Sequence, residues 1–361
     1  MKMRKIVCSF MISVVCFMTA ISGVSATSYD TSKINAAYSK VVEYYKNNNN
    51  LNNADKILAV ESLGLEAESN QFDTSSADLS STSLSKKIVT EVLLGVDPTE
   101  DKKTLESQID ENGNVEGSWG ASSDVWTLYA LYVTSSEKTN LIANKLNDEL
   151  AASSVCGYEW GGTYYADYDT TGWVIEGLAV VNKEKYATTI NKAIDYIKNN
   201  TTMTTTGWVT ADNVDTQSQV LEGMFAYDTN ALLNDSYTVH PVDCLLNTQL
   251  SDGSFPSGYN AEYTTAEVAK TLGTYKNGSV IIKAKKAYDK MMNPEQPDNT
   301  KPSQPTDTKK DSQSTNKVET TNQKTTSVKT GDETNVVIFV SLSMVSGGLF
   351  LVLRKEYERV H

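Results

Sequence analysis

Four stretches of the chain share one order of apolar, small and polar positions: SSDVWTLYALYV from Ser122, DTTGWVIEGLAV from Asp169, DTQSQVLEGMFA from Asp215 and YTTAEVAKTLGT from Tyr263. Their first residues lie 47, 46 and 48 positions apart, the signature of a repeated supersecondary unit with a period near 47. Each copy carries a small–apolar pair at the same offset: Ala130-Leu131, Gly177-Leu178, Gly223-Met224 and Thr271-Leu272. Each is preceded by a glycine–aromatic turn, GSWG at 117–120, EWGG at 159–162, GW at 207–208 and GSF at 253–255. A second helical pattern follows, as in KEKYATTINKAIDYIKNN at 183–200, where Tyr186, Ile190, Ala193, Ile194 and Ile197 share one face. TNLIANKLNDELAA at 139–152 and SVIIKAKKAYDKM at 279–291 fill the same slot, and 32–48, 54–66, 83–95 and 99–109 read as earlier, less regular copies. Strand patterns are almost absent. The spacing predicts an all-α fold of about five or six helical hairpins over residues 27–292.

The first helix of each pair is apolar nearly all round and the second is amphipathic. A helix without a wet face has to be buried. Inner helices wrapped by outer ones and closed into a ring satisfy both patterns, so an α/α toroid is expected.

The ends of the chain have a different character. Lys2, Arg4 and Lys5, an apolar run from Ile6 to Ile21, and the small residues Val24-Ser25-Ala26 make residues 1–26 a secretory signal peptide. Residues 293–330 hold Pro294, Pro297, Pro302 and Pro305 among Thr, Ser, Lys, Gln and Asn, with no aromatic residue. Such a segment cannot bury enough apolar area to offset its ordering entropy and is expected to be a disordered linker. Residues 331–361 contain an uncharged apolar run at 336–353, long enough for a transmembrane helix, followed by the basic Arg354, Lys355 and Arg359. The preceding SVKTGDE resembles the Gram-positive sortase sorting signal, Leu-Pro-any-Thr-Gly before a hydrophobic stretch and a basic tail. Thr330 and Gly331 match it, whereas Ser327 and Val328 stand where the pattern has Leu and Pro. The resemblance implies cleavage between Thr330 and Gly331 and attachment to the cell wall. By sortase or by the membrane helix, residues 27 to about 330 are expected outside the cell, held at its surface.

The whole chain carries a formal charge of −13; losing the signal peptide removes three basic residues and no acid, leaving −16. Such a surface repels nucleic acid, whose binding depends on Lys and Arg at the phosphates. Beyond the signal peptide only Cys156 and Cys244 remain. An extracellular setting permits a disulfide between them, provided that their Cα atoms come within about 7 Å.

QLSDGSF, Gln249 to Phe255, resembles the Gln-three-residues-Gly-any-Trp motif of the squalene and terpenoid cyclases, with Phe255 in place of Trp. DYDT, Asp167 to Thr170, resembles the Asp-any-Asp-Asp acid motif of squalene–hopene cyclases, with Thr170 at the second Asp of its pair. The glycine–aromatic turns and the period are similar to those of the wider superfamily that includes protein prenyltransferase β-subunits and the cobalamin carriers intrinsic factor and transcobalamin. This resemblance, over residues from about 30 to 292, implies the α/α toroid. It implies no single activity, and it brings in a corrinoid ligand by analogy only.

All five tryptophans, Trp119, Trp126, Trp160, Trp173 and Trp208, lie between 119 and 208, in loops before the inner helices or in their first turns. Tyr158, Tyr164, Tyr165 and Tyr168 crowd one of those loops beside Asp167. An aromatic, acidic mouth suits a small molecule, a glycan or a surface protein. Trp119, Tyr158, Trp160, Tyr164, Tyr165, Asp167, Tyr168 and Trp208 are therefore the expected ligand-binding residues of a surface-displayed binding module without catalytic machinery, cofactor or metal. Trp126 and Trp173 are expected mainly in repeat packing. The alternative is an extracellular carbohydrate-active hydrolase or lyase, which needs two carboxylates across a cleft; Asp124, Glu159, Asp167, Asp169, Glu176 and Asp215 are candidates. A squalene-cyclase-like enzyme would use Asp169 as its acid with Asp167 helping to keep it protonated. A prenyltransferase-like zinc site has only His240, Asp243 and Cys244 to draw on, beside a helix-breaking Pro241. The recurrence of Asp169 as Asp215, with Ser122 and Thr264 at or beside the equivalent site, predicts that Asp169 caps its helix and leaves Asp167 as the more functional acid.

Overall fold

The computed structural model describes residues 29–68, 80–160, 163–200, 214–235, 237 and 239–294, the side chains of 158–160 excepted. The chain divides into two compact units, Met1–Asp298 and Asn299–His361, and all described residues belong to the first. The signal peptide, Trp208, nearly all of the 293–330 linker, Thr330, Gly331 and the 336–353 segment lie outside the described residues. Among the described residues no helix is long and apolar enough to cross a membrane.

Eleven helices follow in order among these residues: α1 Thr31–Asn47, α2 Ala54–Ser62, α3 Ser81–Leu93, α4 Thr99–Ser107, α5 Ala121–Val133, α6 Thr139–Ser153, α7 Tyr168–Asn200, α8 Val214–Asn234, α9 Pro241–Leu246, α10 Ala261–Asn277 and α11 Val280–Met292. The all-α expectation holds for the described residues apart from one short antiparallel hairpin, β1 Gly157–Trp160 and β2 Thr163–Ala166, which the sequence pattern did not announce. Side-chain caps begin several helices, with Asp30, Asn53, Ser80, Asn260 and Ser279 accepting from free N–H groups of the first turn.

Two of the expected hairpins have almost no loop. α7 and α8 each contain one residue with extended dihedrals, Asn182 (φ −165°, ψ 89°) and Asp228 (φ −157°, ψ 92°). Each side chain caps the segment that follows, Asn182 Oδ1 accepting from Lys185 N and Asp228 Oδ1 from Ala231 N, both at 2.9 Å. The two breaks stand 13 residues after Asp169 and Asp215 respectively, so the repeat places its bend with a capping side chain rather than with glycine.

The first helices of the repeats pack on one another in sequence. α2 contacts α3, α3 contacts α5, α5 contacts α7, α7 contacts α8, α8 contacts α10, and α10 returns to α2. α4 and α6 cover α3, α5 and α7, α1 lies on α10, and α11 crosses α3 and α5 while also touching α2 and α10. Where α7 meets α8 the backbones themselves touch. A Cβ at Gly172 would stand 2.4 Å from the Gln219 carbonyl oxygen, and one at Gly223 would stand 2.2 Å from that of Gly172. Glycine is needed there because any side chain would separate the helices.

Two of the glycine–aromatic turns, and the segment leading into β1, are tied to the helices that follow them. The backbone N–H of Trp119 donates to Ser123 Oγ (3.1 Å), that of Cys156 to Thr171 Oγ1 (2.9 Å) and that of Phe255 to Thr265 Oγ1 (3.0 Å). In the last turn Gln249 Nε2 donates to the carbonyls of Gly253 and Ala37, both at 3.1 Å. Gly253, at φ +93°, brings its backbone against the Lys40 carbonyl, and Phe255 is fully buried. QLSDGSF thus clamps its turn to α1. Cys156 and Cys244 are both free and buried, so the structure holds no disulfide between them.

Candidate functional site

The expectation that the first helices are apolar all round requires correction. Counting from the repeat start, offsets 0, 4 and 7 hold Ser122, Trp126 and Tyr129 in α5; Asp169, Trp173 and Glu176 in α7; Asp215, Gln219 and Glu222 in α8; Tyr263, Glu267 and Lys270 in α10. These offsets share one helical face. The side chains beyond the first turn interact across all four helices, making a buried polar column enclosed by apolar packing.

At offset 7, Lys270 Nζ lies 2.9 Å from Glu267 Oε2 and 3.8 Å from Glu222 Oε2. It also lies 5.5 Å from the ring centre of Trp126 and 6.0 Å from that of Trp173, within cation–π range. Burial works against the lysine's charge, but Glu267, Glu222 and Asp55 outweigh it and hold its pKa above the ordinary lysine value. Burial pushes Glu222 well up, with Lys270 opposing. Glu176 is also raised by burial, while Oε1 accepts from Ser279 Oγ at 2.6 Å and Oε2 from Tyr129 Oη at 3.0 Å. Ser279 caps α11, so this bond fastens that helix to α7.

At the N-terminal ends of α7, α8 and α10 the column approaches solvent. Burial raises Asp169 to about 7; a Thr216 hydrogen bond lowers it in part, and the charges of Asp167, Asp215 and Glu267 raise it further. Asp169 is nevertheless partly exposed. Asp215 Oδ2 accepts from Tyr259 Oη at 2.8 Å, and the Tyr259 ring is 59% exposed and 6.1 Å from that of Tyr263. Gln219 Nε2 donates to Glu267 Oε2 at 3.1 Å and to Tyr263 Oη at 3.3 Å.

The roles expected for the two aspartates are reversed. Asp167 is the cap: Oδ1 accepts from Thr170 N at 3.2 Å, Oδ2 from Thr170 Oγ1 at 2.7 Å, and its carbonyl from Thr171 Oγ1 at 2.6 Å. Asp169 lies within the helix, turned into the column. The cap precedes the repeat start by two residues here and by three in α10, where Asn260 caps ahead of Tyr263. Recurrence of an acid one residue into the helix therefore marked the inner face and not the cap.

The aromatic candidates do not all gather at one place. Trp126 is buried, with its ring 5.3 Å from Tyr129 and 5.9 Å from Trp173. Trp119 is 68% exposed in the turn before α5, and Tyr164 and Tyr165 are exposed on β2. Tyr164 Oη donates to the Val155 carbonyl at 2.8 Å. Tyr168 is half-buried against the core. Tyr158 and Trp160 lie on β1 in register with Tyr165 and Thr163. His240 Nδ1 accepts from Val242 N as the α9 cap, and Asp243 accepts from Tyr29 Oη at 2.6 Å and Lys33 Nζ at 3.0 Å. Among the described residues no group of three or more His, Cys, Asp or Glu is placed to hold a metal ion.

Glu222, Glu267 and Lys270 were not among the sequence candidates, although the aligned repeat contains their signal: offset 7 reads Tyr, Glu, Glu, Lys. Charges at a position where neighbouring helices are otherwise apolar mark a shared interior face.

A raised carboxyl binds its proton more tightly in the folded state, so its effect on stability falls as pH climbs from the unfolded to the folded pKa. For Asp169 that window runs from about 4 to about 7. Asp169→Asn is expected to flatten the decline of Tm between pH 5 and pH 8. An unchanged slope in the variant would remove Asp169 from the titrating set.

Comparison with known proteins finds no match: no protein family, curated protein or solved structure matches this chain.

Proposed function

We propose that residues 27–292 form an α/α toroid and that the chain is a surface-displayed binding module, exported by residues 1–26 and held by the linker and C-terminal segment. The closed order of contacts through α2, α3, α5, α7, α8, α10 and back to α2 supports the ring. The ligand is a small molecule, glycan or surface protein taken at the N-terminal mouth of the inner helices. The carrying observation is the cluster at the N-terminal ends of α7, α8 and α10, where partly exposed Asp169 and exposed Tyr259 stand beside the buried Asp215, Gln219 and Glu267. Deeper groups favour binding over turnover: Glu176 is held by Ser279 and Tyr129, and Lys270 by Glu267. Exposed Trp119, Tyr164 and Tyr165 extend the contact surface. A corrinoid stays among the candidate ligands through the superfamily resemblance alone.

The second reading, a carbohydrate-active enzyme, is favoured by one observation. Asp169, raised to about 7 near Asp215, has the proton affinity of a general acid. The same proton suits a squalene-cyclase-like acid, but the interior of the column is filled by the buried Trp126, Tyr129 and Lys270. The full chain, incubated with glycans, corrinoids and peptidoglycan fragments, is expected to show saturable thermal stabilisation by one class without product formation. Turnover abolished by Asp169→Asn in a folded variant would replace the binding reading with the enzymatic one.

A further inference from the structure

A cavity of about 80 Å³ opens to solvent where the second segments of α7 and α8 meet. It lies away from the Asp169–Asp215 cluster. Two of its lining residues, Met224 and Tyr227, stand 9 and 12 positions after Asp215, about 14 to 18 Å further along the helix. The volume is about half the ~150 Å³ that admits a benzene ring, which leaves room for a group of about three or four heavy atoms. Buried Met224 and Leu232, with half-buried Ile194, supply the apolar surface.

The charges around this cavity are matched. Asp228 Oδ2 lies 3.6 Å from Lys183 Nζ, and Asp235 is bonded to Lys198 and to Tyr237. Each lysine also stands over a tyrosine of the lining, Lys183 at 4.8 Å from the ring centre of Tyr227 and Lys198 at 5.5 Å from that of Tyr237. Two polar groups of the lining remain uncommitted: the exposed Asn191 amide and the Tyr227 hydroxyl make no hydrogen bond among the described residues.

We propose that this cavity is a second binding site, which takes the acetamido group of an N-acetylhexosamine residue. The site goes beyond the mouth reading and does not depend on it. An acetamido group fits the room, and it joins an apolar methyl to one acceptor and one donor. Met224, Leu232 and Ile194 suit the methyl. The Asn191 amide and the Tyr227 hydroxyl supply donors for the carbonyl, and Asp228 or the Asn191 oxygen supplies an acceptor for the N–H. A charged group would enter a site whose two carboxylates and two ammonium groups already balance, and would lose its hydration without a counter-charge. A wholly apolar group would cover Asn191 and Tyr227 without pairing them. The sugar ring favours a glycan over an acetylated side chain. It holds the group on a rigid frame with apolar C–H faces for the Tyr227 and Tyr237 rings, whereas a flexible chain loses rotamer freedom for the same contacts.

The test uses the full chain in mild detergent with the methyl β-glycoside of N-acetylglucosamine as the probe. Methyl β-glucoside, which lacks the acetamido group, is the control, and Nε-acetyl-lysine amide carries the group on a flexible chain. Saturation-transfer NMR is expected to show its strongest signal at the acetyl methyl of the probe, saturating with a Kd of about 1 mM. Asn191→Ala is expected to weaken binding about fivefold, the worth of one hydrogen bond. Ala231→Trp, which fills the opening from an exposed lining position, is expected to abolish it; both positions are exposed, and using two guards against a folding defect in either. No saturable signal, equal binding of the glucoside, or unchanged binding in Ala231→Trp overturns the proposal. Equal or tighter binding of the acetyl-lysine amide overturns the sugar and assigns the cavity to an acetylated chain. Sensitivity to Asp169→Asn with none to the two cavity variants would put the sugar at the mouth, overturning the cavity site and leaving the binding module intact.

Discussion

Lys270→Met is expected to destabilise the protein by about 3–5 kcal/mol, the cost of removing one partner from a buried ion set. Lys270 is 3% exposed and neutralises Glu267 and Glu222 within the column. Methionine fills comparable volume, so the loss reports charge rather than a cavity. The carboxylates left behind can take up protons, and the deficit is therefore expected to shrink as pH falls from 8 to 5. Adding Glu267→Gln is expected to recover part of it, because a neutral buried set escapes the desolvation of an unpaired charge. Urea denaturation of the two variants at both pH values checks this. A single variant within about 1 kcal/mol of the parent at pH 8 would mean that Lys270 is not the counter-charge of the column.

Gly223→Ala is expected to be comparably severe for a steric reason. The added methyl would stand 2.2 Å from the Gly172 carbonyl oxygen and 3.0 Å from its carbon. Both clashing groups are backbone, so no flexible side chain can turn aside. Overpacking typically costs about 1–3 kcal/mol where side chains can adjust, and this site is expected to reach or exceed that range. The α7–α8 separation would grow and carry Asp169 away from Asp215. Gly258→Ala is the control, since nothing lies within 4 Å of its added Cβ, and it is expected to be close to neutral. Thermal melts of both variants decide the matter; equal Tm values would show that α7 and α8 can part without cost.

The two substitutions also show which features were legible in the chain. The small residue at offset 8, Ala130, Gly177, Gly223 and Thr271, is a repeated feature of the chain itself. The identity of the opposing atoms was not legible, because Gly223 lies against Gly172, 51 residues earlier. The candidate site was read with similar partiality. Asp169 and Asp215 stood out as a recurring acid, and the assignment of capping to that position failed because a cap is defined by where the helix begins. The helix begins at Tyr168, so Asp167 takes the free N–H. The tyrosines of 158–168 stood out by density, yet density does not specify direction, and a short hairpin carries Tyr164 and Tyr165 outward.

By itself the sequence determined the helical hairpins, their period, most of their boundaries and the turns that bind loop to helix. Those features follow from local rules: the apolar period, capping side chains and glycine at tight turns act within a few residues. Tertiary structure decided the pairing of the interior charges. Glu176 meets Ser279 across 103 positions and Gln219 meets Glu267 across 48, and neither contact has a local signature. A buried carboxylate is tolerable only with a partner, and the partner is chosen by how the helices pack. The same packing turned Asp169 from an expected cap into the partly exposed acid of the column.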